Sequence, residues 1–181
     1  QYGNPTGVSV DFAKAFGDYA GRPVKIENIS WDGLIPALQT GKVDMVISSM
    51  TIKEERLEKI DFSKPYAKAL LALLVNSRSD VNKVEDLNRE GKVVAVKTGS
   101  TGQIYAEKNL TKAKVVPFPD ESACVTEVTQ GKADAFIYDQ LTIYRNNKKT
   151  RMPQKQFSYP SRMSSTGEWE LRKATRNSWT R

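Results

Sequence analysis

The chain has 181 residues, of which 39% are hydrophobic, 9% aromatic and 27% charged, an ordinary globular composition with enough apolar content for a core. It has no histidine and a single cysteine, Cys124, which excludes His-based triads, His general bases, His metal sites, internal disulfides and thiolate-rich clusters. The net charge of +7 admits nucleic acid or an anionic surface as a partner. However, Lys and Arg are spread along the chain with only small clusters such as Lys148, Lys149 and Arg151, so no nucleic-acid partner is expected.

Short apolar segments alternate with amphipathic ones, the pattern of an α/β protein. Residues 10–20 read as a helix with Val10, Ala13, Phe16 and Ala20 on one face, stopped by Gly21. Residues 24–29 alternate and read as a strand. Residues 31–39 read as a short helix with Asp32 as N-cap, Pro36 near its first turn and Gly41 beyond its end. Residues 43–47 read as a strong strand, 53–59 as a charged helical turn and 66–75 as a long apolar strand.

A second series follows with the same rhythm. Residues 93–96 read as a strand, and 101–109 as a helix entered through Thr98, Gly99 and Ser100. Val115 and Val116 form a short strand halted by Pro117 and Pro119. Asp120 caps a helix to about residue 130 that holds Cys124 as an inert, buried hydrophobe. Residues 135–137 read as a strand and 139–147 as a helix, while 151–165 lack periodicity and suit a return crossing. Two α/β lobes are expected. No apolar run approaches the roughly 18–20 residues of a membrane span. No signal peptide is visible, and a chain opening on Gln1 is expected to be processed or trimmed.

Sites in open α/β sheets lie beyond the carboxyl ends of strands. Beyond residues 43–47 come Ser48, Ser49 and Thr51, with Arg56 a helical turn on. Lys97 and Thr101 follow 93–96, Tyr138 and Asp139 follow 135–137, and Trp31 follows 24–29. This set matches a zwitterion. Arg56 with Ser49 and Thr51 suits a carboxylate, as do the first amides of the helix at Thr101. Asp139 suits an ammonium and Trp31 an apolar stem. Taken singly, Arg56 also reads as a surface charge among Glu54, Glu55 and Glu58, Asp139 as a helix cap, and Trp31 as core.

Several segments resemble, in family order, the polar amino-acid-binding proteins of bacterial ABC importers, solute-binding family 3. They are GVSVDFA at 7–13, WDGLIPAL at 31–38, DMVISSMTIKEER at 44–56, DFSKPY at 61–66, VAVKTGSTG at 94–102 and ADAFIYD at 133–139. The resemblance implies a two-lobed periplasmic-binding-protein-like fold of type II, without cofactor, metal or catalysis. Lobe 1 would comprise residues 1–68 plus 165–181 and lobe 2 residues 69–164, with crossings near 67–70 and 160–165. It implies that Arg56 pairs with the ligand α-carboxylate, aided by Thr51, the Ser49 region and the Thr101 amide. Asp139 and the Ser48 carbonyl would hold the ammonium, Trp31 would stack on the side chain, and Lys97 and Tyr138 would face the end that sets specificity.

The family's first strand would precede Gln1 and its terminal helices would follow Arg181, so a fold truncated at both ends is expected. The implied function is extracytoplasmic binding of a polar L-amino acid with hinge closure and delivery to an ABC permease, from the periplasm or a lipid-anchored extracellular position. Lys97 would repel a cationic side chain, which favours glutamine or glutamate. The alternatives are a sensing module of a histidine kinase or ligand-gated channel and, less favoured, a cyclohexadienyl-dehydratase-like enzyme, for which Glu121, Glu168 and Lys97 are loose acid–base candidates.

Overall fold

Burial separates the chain into two compact units, residues Gln1–Tyr66 and Ala67–Arg181. The computed structural model describes residues 4–67, 69–149, 155–159, 161–163 and 169–171. The expected return crossing near 160–165 and the placing of 165–181 in the first lobe fall largely outside these residues. No helix of the described residues is long and apolar enough to cross a membrane.

In the first unit, α1 (Val8–Ala20) buries Val10 and Gly17. It closes at Gly21, whose φ of 62° is open to a residue without Cβ. The Gly21 amide donates to Asp18 O and the Arg22 amide to Gly17 O, a Schellman ending. Trp31–Gly33 form a 3-10 turn leading into α2 (Leu34–Gln39), which buries Leu34 and Ala37. Ser30, not Asp32, stands at the start of this turn. Asp32 lies inside it, and the Ser30 side chain and local amides hold its carboxyl below the usual range. The charged turn is α3 (Glu54–Leu57).

The strands expected over 24–29 and 43–47 do not form. A strand exists only as one side of a hydrogen-bonded ladder, and the described residues of this unit offer neither segment a partner. Val24 and Met45 stay exposed at 43% and 45%, and the Val43 amide is tied back to Ala37 O at the end of α2.

The second unit is built on a five-stranded sheet ordered β3-β2-β4-β1-β5. Its strands are β1 (Leu71–Val75), β2 (Val93–Lys97), β3 (Lys114–Phe118), β4 (Ala135–Asp139) and β5 (Lys155–Tyr159). β2 runs parallel to β3 and β4, and β1 runs antiparallel to β4 and β5. A separate antiparallel pair joins β6 (Ser161–Met163) to β7 (Trp169–Leu171). The expected strand over 66–75 forms only from Leu71. β3 continues through Pro117 instead of stopping before it: β3 is an edge strand hydrogen-bonded to β2 alone, where a missing amide donor is tolerated.

Both faces of this sheet are covered, which explains its continuous apolar runs. Leu71, Leu73, Val75, Val94, Val96, Ala135 and Ile137 point to one face and pack with Tyr105, Ala106 and Leu110 around α4 (Thr101–Asn109). Ala72, Leu74, Ala95 and Phe136 point to the other and pack with Cys124 and Val128 of α5 (Glu121–Thr129) and Ile143 of α6 (Gln140–Lys149). Cys124 is fully buried here, and burial pushes its thiol up to about 12.

The opposite end of the sheet is pinned by Asp134. It accepts from the Val93 amide at 3.0 Å, Lys92 Nζ at 2.9 Å and Ser79 Oγ at 2.7 Å. Lys92 and Arg89 also reach Asp80.

Two predictions follow from this packing. A Cβ on Gly102 would collide with the Ile137 carbonyl oxygen of β4. Gly102→Ala should therefore lower the unfolding midpoint in urea by the equivalent of about 1–3 kcal/mol; an unchanged midpoint would show that α4 can shift. The second concerns acid. Hydrogen bonds from Lys92 and then Arg89 hold Asp80 down to about 2. Burial works to raise the Asp134 carboxyl, but the Val93 amide, Lys92 and Ser79 together leave it lowered. Depressed carboxyls stabilise the fold fully above their unfolded value of about 3.9, and the contribution is lost as pH falls through the folded values. Stability should therefore drop between about pH 4 and pH 2, and Asp134→Asn should flatten that drop in urea titrations across the window.

Candidate functional site

In the first unit, α3 is preceded by Lys53 and opens with Glu54 and Glu55, a sequence that looks like a solvated turn. The structure instead buries Arg56 to 8% exposure. Its Nη1 donates to the Thr51 carbonyl at 2.8 Å, and its guanidinium lies over the Trp31 ring, 5.5 Å from the centroid. A planar cation held by a carbonyl on its edge and an aromatic ring on its face has its orientation set before any anion arrives. Burial lowers its pKa from the ordinary arginine value, and an arginine so lowered is still a cation at neutral pH.

Trp31 therefore touches Arg56, where the sequence reading set it against the ligand stem, and Thr51 reaches Arg56 through its carbonyl. Ser48 is half-buried and Ser49 exposed. Ser49 has a φ of 51°, in the left-handed region, an uncommon and strained setting for serine. It turns the chain between 43–47 and Thr51.

Sequence reasoning missed Lys53. It is buried to 7% exposure, and burial lowers its pKa. No local signal marks it, because a lysine before two glutamates reads as surface.

In the second unit the carboxyl ends of β2 and β4 lie side by side, with Val96 opposite Ile137. Thr101 is the first residue of α4, and Ser100 caps that helix through an Oγ that accepts the Gln103 amide at 3.2 Å. The opening amides of α4 thus stand at the positive end of its dipole, against the carboxyl half of β4, where Gly102 permits the close approach. Asp139 is the last residue of β4 and caps α6, its Oδ1 accepting the Thr142 amide at 3.0 Å. The cap uses one oxygen and leaves the carboxylate a second acceptor.

Lys97 and Tyr138 come together, with Lys97 Nζ 3.5 Å from the phenol oxygen. Both meet a third residue, Glu121 at the start of α5. Its Oε1 lies 2.8 Å from Lys97 Nζ and accepts the Tyr138 hydroxyl at 2.9 Å. Burial, reinforced by Glu121, raises the Tyr138 phenol well above the ordinary tyrosine value, so it is a neutral donor. Sequence reasoning considered Glu121 only as a loose catalytic candidate. The available signal was its place, an acid opening the helix that follows the neighbouring parallel strand.

The model of the bacterial extracellular solute-binding proteins, family 3, matches residues 1–168. Among curated proteins, the ABC transporter glutamine-binding protein GlnH of Bacillus subtilis (strain 168) is 33% identical over 145 residues, covering 78% of this chain and 53% of that protein. The chain thus spans about half the length of the curated relatives it matches. Among solved structures, the ancestral amino acid-binding protein AncCDT-1, a precursor of cyclohexadienyl dehydratase, aligns with a TM-score of 0.76 at 39% identity, covering 83% of this chain and 68% of that one. An ancestral arginine-binding protein bound to glutamine aligns with the same TM-score at 36% identity, covering 83% and 67%. The mixed α/β sheet and these neighbours bear out the expected fold class, and the relatives carry the names of binding proteins, not of enzymes. With its family model matched over most of its length, this chain belongs to the bacterial extracellular solute-binding proteins of family 3.

Proposed function

We propose that this chain binds a polar L-amino acid outside the cytoplasm and delivers it to an ABC permease, performing no chemistry on it. The observation that carries this reading is Arg56, a cation buried and oriented by Thr51 O and the Trp31 ring. A planar bidentate donor of this kind is the group that recognises a carboxylate best. Asp139, with Oδ1 committed to the Thr142 amide, has a second oxygen for an α-ammonium. The first amides of α4 add a donor set of the right sign for the carboxylate. Ser48, Ser49 and Thr51 lie in the segment that leads to Arg56 and are assigned to the ligand's α-groups.

In this reading the two units close on ligand by hinge motion, and ligand stabilises the closed state through its contacts with both. The relatives' names, glutamine-binding in one case and arginine-binding with glutamine bound in another, support a polar amino acid as the cargo. The family's description as extracellular supports a position outside the cytoplasm, periplasmic or lipid-anchored.

Titration calorimetry of the full-length protein against the standard L-amino acids tests the assignment. Arg56→Ala should weaken the best ligand by about 2–5 kcal/mol, because a charged contact is lost. Unchanged affinity in that variant would refute the role of Arg56. Asp139→Asn should weaken the same ligand by about 1–3 kcal/mol and leave its des-amino analogue unaffected; equal losses for both compounds would remove Asp139 from the ammonium.

A further inference from the structure

Lys and Arg are spread along the chain, but Asp and Glu are not, and the net charge is uneven as a result. Residues 1–139 carry eighteen basic and nineteen acidic side chains, whereas residues 140–181 carry ten basic and two acidic. From Gln140 to Gly167 there is no acid at all, against Arg145, Lys148, Lys149, Arg151, Lys155 and Arg162. A charge imbalance confined to one part of a chain points to an anionic partner.

The fold gathers the start of this segment at one edge of the second unit. β5 lies beside β1 at the end of the sheet, and α6 packs across β1, β4 and β5. The inner face of α6 buries Ile143 completely. Leu141, Tyr144, Arg145 and Lys148 recur at intervals of three and four residues and so share the opposite face, and all four are exposed. Leu141 is 70% exposed and Tyr144 47%. Lys148 Nζ lies over the Tyr144 ring, 4.6 Å from its centroid. The outward face of α6 thus presents an aliphatic side chain, an aromatic ring and two cations, and the helix contains no acid.

We propose that this face of α6, with the basic segment that continues into β5, docks on a bilayer carrying anionic phospholipids. Two features favour a bilayer over an acidic protein. The first is the run of cations without an interleaved acid. A protein partner is registered by complementary charges of both signs, whereas a fluid anionic surface needs only an excess of one. The second is the exposed apolar pair. Leu141 and Tyr144 suit the headgroup layer while Arg145 and Lys148 meet phosphates, as on a helix lying in the interface, and tyrosine is enriched at that depth. With ten residues, α6 lies on such a surface and does not span it. The inference is independent of the amino-acid-binding reading, since none of these side chains is assigned to the ligand.

Co-sedimentation of the full-length protein with vesicles tests this, using phosphatidylcholine alone and phosphatidylcholine mixed in equal parts with phosphatidylglycerol. The wild type should bind only the mixed vesicles, and more weakly as salt is raised. Arg145→Gln combined with Lys148→Gln should weaken that binding on the order of 25-fold, about fivefold for each cation removed from an anionic surface. Leu141→Ser should weaken it about fivefold or more while leaving the salt dependence in place. All three side chains are exposed, circular dichroism reports the folding of each variant, and amino-acid affinity should stay at the wild-type value in both. Equal binding to the two kinds of vesicle, or mixed-vesicle binding that survives the double substitution, would overturn the proposal. So would vesicle binding unchanged in Leu141→Ser together with equally tight binding to double-stranded DNA, which would make the face a general polyanion surface. A wild type that binds neither vesicle refutes the docking and leaves the amino-acid reading standing.

Discussion

The grouping of polar residues at the carboxyl edge of the second unit's sheet depends on β4 being buried on both faces. Ala135, Phe136 and Ile137 are 1% exposed or less, flanked by β2 and β1 and covered by α4 on one side and α5 and α6 on the other. A strand so enclosed tolerates no unpaired polar side chain along its length. Polarity emerges only where the strand leaves its covering layers, at Tyr138 and Asp139. β2 obeys the same rule and turns polar at Lys97. The register that sets Val96 against Ile137 brings these polar ends together, and Gly102 lets α4 seat against the Ile137 carbonyl with its opening amides on the same edge. The clustering of these polar ends is therefore a consequence of how the core is closed.

The first unit reaches a comparable result by other means. Arg56 stands on a helix of four residues, too short to supply a useful dipole. A charge withdrawn from water needs local compensation, and the Thr51 carbonyl and the face of Trp31 provide part of it. Arginine is the cation suited to this setting, because its planar fork can engage a carbonyl with its edge and a ring with its face. The left-handed turn at Ser49 belongs to the same arrangement, since it directs the chain from 43–47 toward Thr51.

The Lys97–Glu121–Tyr138 group changes the meaning of a residue type. Taken alone, Lys97 reads as an isolated positive charge at a strand end. Beside Glu121 it is part of an ion pair between two elements. The network at the other end of the sheet, built on Asp134, Lys92, Ser79 and the Val93 amide, uses similar groups to fasten strand ends to one another.

Periodicity and turn chemistry carried much of the second unit. The helix over 101–109, the Asp120 cap and the cores of β2 and β4 were legible because each depends on local spacing or on continuous burial. The segments 24–29 and 43–47 were misread because β-structure is a relation between segments, and apolar alternation says nothing of whether a partner lies alongside. Pro117 was misread for the same reason, since only its edge position makes it harmless. By itself the sequence determined the α/β class, the family motifs and the residue types available for binding a zwitterion. The tertiary structure alone decided that Arg56 is buried beside the Trp31 ring and that Lys97 pairs with Glu121 from another element. Burial and charge pairing arise between residues distant in the chain, and no local pattern encodes them.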